Sequence, residues 1–181
     1  MNGRVKTNLI NIRSSDKVLQ NEAFSYLLET TDQPVDWAYE AWDELLEGLT
    51  DKDNHVRAIS AQVLCNLAKS DPQNRMLTDF EKLLNVTKDK RFVTARHCLQ
   101  SLWKVGVAGR EQQRIYMEGL ERRFHECSTE KNCTLIRYDI QQSLRNVYGV
   151  LKDEKIKEKA LVLIQLEEEP KYHKKYSSLW K

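Results

Sequence analysis

The segment Val56-Arg57-x-x-Ser60-x-x-Val63-Leu64-x-Asn66-Leu67 recurs further along the chain as Ile136-Arg137-x-x-Ile140-x-x-Ser143-Leu144-x-Asn146-Val147. In both copies the apolar residues fall three and four positions apart, which is the spacing of one face of an α-helix. A helical unit that repeats at a fixed distance is typical of solenoids, in which each repeat packs only on its neighbours. The repeat therefore predicts an extended array of helices.

The same apolar spacing continues on both sides of these two segments and predicts eight helices joined by short polar turns. Six of them form three helix pairs, over residues 36–69, 75–106 and 110–149, with Gly149 as the predicted end of the last pair. One further helix flanks the pairs on each side, at 16–30 and 153–167, and would cap the array. We therefore predict an N-terminal arm at 1–15, a solenoid at 16–167 and a basic, aromatic tail at 168–181.

The turn Leu49-Thr50-Asp51-Lys52-Asp53-Asn54-His55-Val56-Arg57 and the helix after it resemble a HEAT repeat, of the armadillo type. The resemblance implies an all-α, right-handed α-α superhelix. It also implies a ladder between neighbouring repeats, made by an Asp of the turn and an Arg of the second helix, and Asp53, Arg57 and Arg137 occupy such places. The matching positions of the other repeats depart from the pattern, since Ala95 replaces the Arg and Cys133 replaces the Asp. A role of Arg57 and Arg137 in ligand binding is the alternative.

The resemblance further implies that the second helix of each pair lines the concave side of the array. Its outward residues are then candidates for binding a partner, while the alternative is an ordinary solvated face. Trp103 either belongs to the core or lies at the rim of this face, where aromatic anchors concentrate binding energy. The candidate binding residues are Gln62, Arg96, Gln100, Trp103, Gln142 and Arg145.

The chain shows no pattern of catalytic or metal-ligating residues. Its four histidines are scattered, with no His-x-x-x-His or Cys-x-x-Cys pair, and it has no glycine-rich phosphate loop. No nucleophile and base can be assigned together. We therefore predict no catalytic residue, no metal site and no cofactor, and these features argue against an enzyme.

Four cysteines leave the redox state open. Cys65 and Cys98 lie on apolar helical faces, where a thiol packs as a small hydrophobe. Cys127 and Cys133 flank a short loop and could form a bridge, although intracellular thiols normally stay reduced. The N-terminal residues lack the apolar core of a secretory signal, so the expected compartment is the cytoplasm.

From Pro170 onward the tail contains four lysines and no acidic residue, while the formal charge of the whole chain is only +2. The remainder is close to neutral, which weakens an argument from charge for nucleic-acid binding. Tyr172, Tyr176, Leu179 and Trp180 share a helical face, which favours a tail that folds back on the array. Binding to bases, to an anionic membrane surface or to a partner's groove is the alternative. No stretch approaches the roughly 20 apolar residues of a membrane span.

The repeat and the missing catalytic pattern favour a non-enzymatic scaffold or adaptor that binds a protein or peptide on its concave face. The alternative is a nucleic-acid-binding protein that resembles the HEAT-like alkylpurine DNA glycosylases, in which an aromatic residue and a carboxylate handle damaged duplexes. Trp103 is followed four positions later by Val107 rather than by a carboxylate, which argues against this alternative.

Overall fold

A computed structural model describes residues 1–181, and every regular element in it is helical. The predicted all-α array of helix pairs is confirmed. Its α-helices are α1 (Gly3–Asn11), α2 (Lys17–Thr30), α3 (Ala38–Gly48), α4 (Asn54–Leu67), α5 (Arg75–Asn85), α6 (Phe92–Ser101), α7 (Trp103–Gly106), α8 (Arg110–Glu126), α9 (Cys133–Leu151), α10 (Glu154–Ile164) and α11 (Pro170–Ser177). Short 3-10 turns follow α4, α5, α8 and α11.

The helices alternate between two layers. The first layer contains α1, α3, α5, α8 and α10, and each of these helices is followed by a helix of the second layer. The second layer, called here the second-helix layer, contains α2, α4, α6 with its continuation α7, α9 and α11. Neighbouring helices of this layer contact one another along the array, α4 with α6 and α6 with α9, so the core runs continuously between repeats.

The N-terminal residues form a helix rather than the predicted arm. Helix α1 buries Val5 and Leu9, and Ile12 at its C-terminal cap is buried as well; the three residues are four and three positions apart and pack into the common core. The side chain of Asn2 caps the helix by accepting a hydrogen bond of 2.9 Å from the Val5 N–H. Three apolar residues among polar ones make a narrow stripe, and α2 covers it.

The C-terminal tail folds back on the array. Helix α11 buries Tyr176 completely, and the Tyr176 hydroxyl donates a hydrogen bond of 2.7 Å to the Thr134 carbonyl of α9. In the turn after α11, the Trp180 indole donates a hydrogen bond of 3.0 Å to the Gln141 side chain. The flanking helices α2 and α10 therefore each have a short partner, α1 and α11.

Helix α9 is longer than its sequence pattern indicates. It passes through Gly149 without interruption and ends at Leu151, after which Lys152 adopts the left-handed conformation with a φ of 53°. The prediction that Gly149 ends this helix is wrong, because Lys152 takes the cap position. None of the helices combines the length and the apolar character needed to cross a membrane.

Candidate binding surface on the second helices

Arginine–carboxylate pairs join neighbouring members of the second-helix layer. Arg57 of α4 makes two hydrogen bonds to Asp89, just before α6, with distances of 2.5 Å from Nε and 2.9 Å from Nη2. Arg137 of α9 pairs with Glu167, just before α11, at 3.0 Å. The Arg57–Asp89 pair is bidentate, which fixes direction as well as distance between the two planar groups, so this contact holds its two repeats in register.

Asp53 and Arg57 do not pair with each other. Asp53 accepts a hydrogen bond from Lys17 of the preceding repeat at 3.2 Å and caps α4 through the His55 N–H. Arg57 faces the following repeat and also donates to the Asp51 carbonyl at 2.7 Å. The two residues therefore contact opposite neighbours, and the sequence pattern did not identify Asp89 and Glu167 as the partners of Arg57 and Arg137.

The Arg57–Asp89 pair is largely shielded from solvent, with side-chain exposures of 10% and 6%. Burial by itself raises the pKa of Asp89, but the hydrogen bonds from Arg57 and from the Arg91 N–H outweigh it and hold that pKa below its usual range. The hydrogen bond to Asp89 likewise raises the pKa of Arg57. Both groups are charged at neutral pH and stabilise the junction.

A second polar contact closes the same part of the layer. The Asn66 amide donates to the Thr31 hydroxyl at 3.0 Å and to the Leu28 carbonyl at 3.2 Å, both in the preceding repeat. Lys104 of α7 donates to the Asn66 side-chain oxygen. Burial lowers the pKa of Lys104. The polar groups of these residues hydrogen-bond to one another, so few of them remain available to a ligand.

The candidate binding residues fall into three places. Gln62 is half-buried on α4 and donates to the Ala58 carbonyl of its own helix. Arg96 and Gln100 of α6 both donate to Asp139 of α9, with the Arg96 contacts at 2.7 and 2.9 Å. The remaining three meet in one open depression of about 570 Å³, called here the Arg145 depression, which is lined by Trp103, Gln142, Arg145, Asn146, Gly149, Val150 and Leu179.

Arg145 is held in place by aromatic rings and a carbonyl. Its Nε donates a hydrogen bond of 3.0 Å to the Leu179 carbonyl of the folded-back tail. The guanidinium carbon lies 5.4 Å from the centre of the Tyr148 ring and 5.9 Å from that of the Trp180 ring, within range of cation–π attraction. The sequence pattern placed Trp103, Gln142 and Arg145 on one face but did not show that the tail would complete their surroundings.

A second depression, of about 480 Å³, lies between helices α8 and α10 of the other layer. It is highly charged, but its charges are mixed and partly paired: Arg114 binds Glu111 and Glu118, and Lys159 binds Glu121. The pairing leaves this surface without a clear complementarity to a ligand.

Comparisons with solved structures agree with the helical-repeat fold. A chain from the complex of CpcE and CpcF of phycocyanin lyase from Nostoc sp. PCC7120 matches with a TM-score of 0.64 at 14% identity, over 98% of this chain and 98% of that one. Two engineered proteins match at 17% identity, one with a TM-score of 0.60 over 99% of this chain and 78% of its own, the other with a TM-score of 0.54 over 99% and 47%.

No family model and no curated protein sequence matches the chain. At these identities the similarity shows a shared fold, and the HEAT family membership stays a prediction.

Proposed function

We propose that this protein is a non-enzymatic HEAT-like scaffold or adaptor that binds a protein or peptide on the face of its second helices. The observation that carries the proposal is the Arg145 depression. There two successive repeats present Trp103 and Arg145 beside the amides of Gln142 and Asn146. Tryptophan and arginine are enriched among the residues that dominate the binding energy of protein interfaces.

The packing of the second-helix layer supports the proposal that this layer lines the concave side. Within α4 only Asn54, His55 and Gln62 retain appreciable exposure, since small residues let α2 and α6 approach closely. Closer packing in one layer than in the other curves an array toward the tighter layer. A preformed, curved surface binds without first paying the entropy of ordering.

The fold itself is compatible with assembly. The structurally similar chain of phycocyanin lyase was solved in a complex of CpcE with CpcF. For the present chain we infer a protein partner of its own, and we expect the cytoplasm as its compartment.

Site-specific photocrosslinking tests the proposal. A benzophenone amino acid at Gln142 reports on the proposed face, and the same amino acid at the exposed Glu118 of α8, in the first layer, is the matched control. In nuclease-treated extract of the source organism, we expect discrete protein adducts at position 142 and none at 118. Equal adducts at both positions, or no protein adduct at 142, would contradict an adaptor that uses this face.

A nucleic-acid-binding function is the second candidate. Trp103 and Arg145 line one depression and Trp180 lies beside Arg145, and aromatic rings interleaved with cations suit stacking on bases. No acidic residue lines the depression, and Asp139 is already bound by Arg96. Fluorescence anisotropy with duplex and single-stranded DNA at increasing salt separates the two candidates, because binding to phosphates weakens steeply with salt.

A further inference from the structure

Arg145 differs from every other shielded arginine of the chain. Six arginines are buried or half-buried, and five of them have a carboxylate partner within salt-bridge distance, whereas Arg145 has none. The five pairs are Arg57 with Asp89, Arg75 with Asp43, Arg96 with Asp139, Arg123 with Glu130 and Arg137 with Glu167. In this protein a shielded guanidinium is regularly matched by a carboxylate, and at Arg145 the chain does not supply one.

The Arg145 side chain is positioned rather than loose. The Arg145 Nε donates a hydrogen bond to the Leu179 carbonyl. The Trp180 ring beside the guanidinium is held by the hydrogen bond that its indole donates to Gln141. The two terminal amino groups of Arg145 make no hydrogen bond within the protein. A guanidinium offers its free donors as a planar fork that matches a carboxylate, so the group is oriented to receive one.

The residues around the free Arg145 donors indicate which other groups a carboxylate ligand would carry. Gln142 donates to the Asn146 oxygen at 3.1 Å, so the Asn146 amide N–H groups remain as further donors. Trp103, Val150 and Leu179 give the depression an apolar side, and Val150 is 59% exposed. The depression therefore combines one cation and amide groups with a surface for an apolar side chain.

The charge around the depression also favours an anion. Its lining contains no acidic residue. Lys152 and Lys157 lie 5.8 and 5.9 Å from the centre of the Tyr148 ring. The acidic Glu154 accepts a hydrogen bond of 2.7 Å from the exposed Tyr148 hydroxyl.

A phosphoryl group carries nearly two charges and three acceptor oxygens. The lining supplies a single guanidinium, which suits a carboxylate better.

We propose that the Arg145 depression binds the carboxylate of a peptide that carries an apolar side chain next to it. This inference rests on the proposed function, since it names the chemistry by which the adaptor would hold its partner. Arg145 binds the carboxylate, Asn146 donates to it from the side, and Trp103 packs on the apolar side chain. A C-terminal carboxylate and the carboxylate of Asp or Glu share this chemistry, and the test separates them.

The four tryptophan indoles provide the measurement. Trp103 and Trp180 lie at the depression, while the buried Trp37 and Trp42 lie in other repeats and serve as internal controls. Nuclear magnetic resonance would follow their indole N–H signals during titration with N-acetyl-leucyl-phenylalanine as the free acid, as the C-terminal amide, and as the amide with glutamate in place of leucine. We expect saturable shifts of Trp103 and Trp180 with a carboxylate probe, and affinity at least about tenfold lower for the neutral amide.

Two variants assign the effect to one side chain. R145Q removes the fork, and R91Q removes an equally unpaired but exposed arginine outside the depression. R145Q should abolish the preference for the acid and R91Q should leave it intact, with unchanged Trp37 and Trp42 signals showing that both variants are folded. Equal binding of acid and amide, no saturable shift at millimolar probe, the same loss in R91Q, or equal shifts with inorganic phosphate would each overturn the proposal.

The same variants distinguish this proposal from the adaptor function. If R145Q loses the carboxylate preference but the crosslinker at Gln142 captures no protein, the carboxylate site is supported and the adaptor function is contradicted. If the crosslinker captures the same protein in R145Q as in the parent and neither carboxylate probe binds, the adaptor function is supported and the carboxylate site is overturned.

Discussion

The junction between α4 and α6 and the junction between α9 and α11 occupy the same layer of the molecule but end in opposite states. At the first junction small side chains meet, and Ala58, Ala61 and Cys65 of α4 are nearly or completely buried. The Arg57–Asp89 pair closes its edge. The two helices lie side by side, and the charges of Arg57 and Asp89 are paired with each other rather than left for a ligand.

The second junction is built from larger side chains. Tyr138, Arg145 and Tyr148 of α9 remain half-exposed, and the short helix α11 covers only part of α9. Carbonyl and ring contacts from the tail position Arg145 without neutralising it. Small side chains on α4 thus let a full-length neighbour seal the junction, whereas large side chains on α9 and a short partner helix leave part of its surface open to a ligand.

Removing the carboxylate of the Arg57–Asp89 pair at the sealed junction should lower the stability more than any other change considered below. Asp89→Asn leaves the shielded Arg57 without a carboxylate, and removing one member of a buried pair costs about 3 kcal/mol of unfolding free energy. Asp43→Asn is the control, because Asp43 pairs with Arg75 while remaining 75% exposed, and such pairs contribute at most about 1 kcal/mol. Urea unfolding of the three proteins at pH 7 measures both differences.

The pH dependence of the Asp89→Asn effect follows from the lowered pKa of Asp89. A carboxylate with a lowered pKa in the folded protein contributes its full stabilisation above the unfolded value of about 3.9 and loses it as the pH falls through the folded value. The difference between parent and variant should stay constant from neutral pH down to about pH 5 and shrink below about pH 4. A difference that persists in strong acid would show that the loss has a cause other than the ion pair.

A disulfide between Cys127 and Cys133 would tie the start of α9, the helix of the open junction, to the beginning of the preceding 3-10 turn. The two sulfur atoms lie 3.1 Å apart as free thiols. Exchange with oxidised glutathione would form the protein disulfide and release two molecules of reduced glutathione. For such a short loop we expect at most about 2 kcal/mol of added stability, measured by urea unfolding with and without reductant.

The other cysteines and a serine variant serve as controls for the disulfide. Burial raises the pKa of Cys65 to about 12 and that of Cys98 well above its usual range, so both should stay reduced. Alkylation of the free thiols followed by mass spectrometry should show two unlabelled cysteines joined with the loss of two hydrogens in the parent, and no such pair in C133S. Glutathione that stays attached to Cys133 would mean that Cys127, whose pKa burial raises to about 12, does not complete the bridge.

The sequence predicted the array because helical spacing is a local property that each segment carries by itself. It also placed Arg57 at a repeat junction, but it did not identify Asp89, since a partner in the next repeat depends on how two helices lie together. Trp103 and Arg145 were predicted on one face, whereas the contacts of Arg145 with Leu179 and Trp180 depend on where the tail docks. Local pattern thus predicted the elements, and packing between distant segments decided the site.

Replacing a buried serine with alanine should change the stability in opposite directions in α4 and in α9. Ser60 of α4 is fully buried and its hydroxyl makes no hydrogen bond, while Ser143 of α9 is equally buried but shares a hydrogen bond of 2.8 Å with the Tyr116 hydroxyl. An unpaired buried hydroxyl is unfavourable, so Ser60→Ala should stabilise by about 1 kcal/mol and Ser143→Ala should destabilise by at least about as much. Thermal unfolding of both variants measures this, and a loss of stability in Ser60→Ala would contradict the assignment.

The smallest expected effect concerns Gly149, on the rim of the Arg145 depression. A methyl group there meets only the Arg145 Nη1 atom, at an ordinary contact distance of 3.6 Å, whereas a methyl group at Gly48, where α3 packs on α4, would lie 2.1 Å from the Ser60 hydroxyl oxygen. Gly149→Ala should therefore stabilise α9 by about 0.5 to 1 kcal/mol, because alanine loses less backbone entropy within a helix. Gly48→Ala should destabilise, because helix α3 would have to move away from α4. Urea unfolding of the two variants thus compares the space beside Gly149 with that at the α3–α4 contact, and a destabilising Gly149→Ala would mean that the rim of the depression is as tightly packed as that contact.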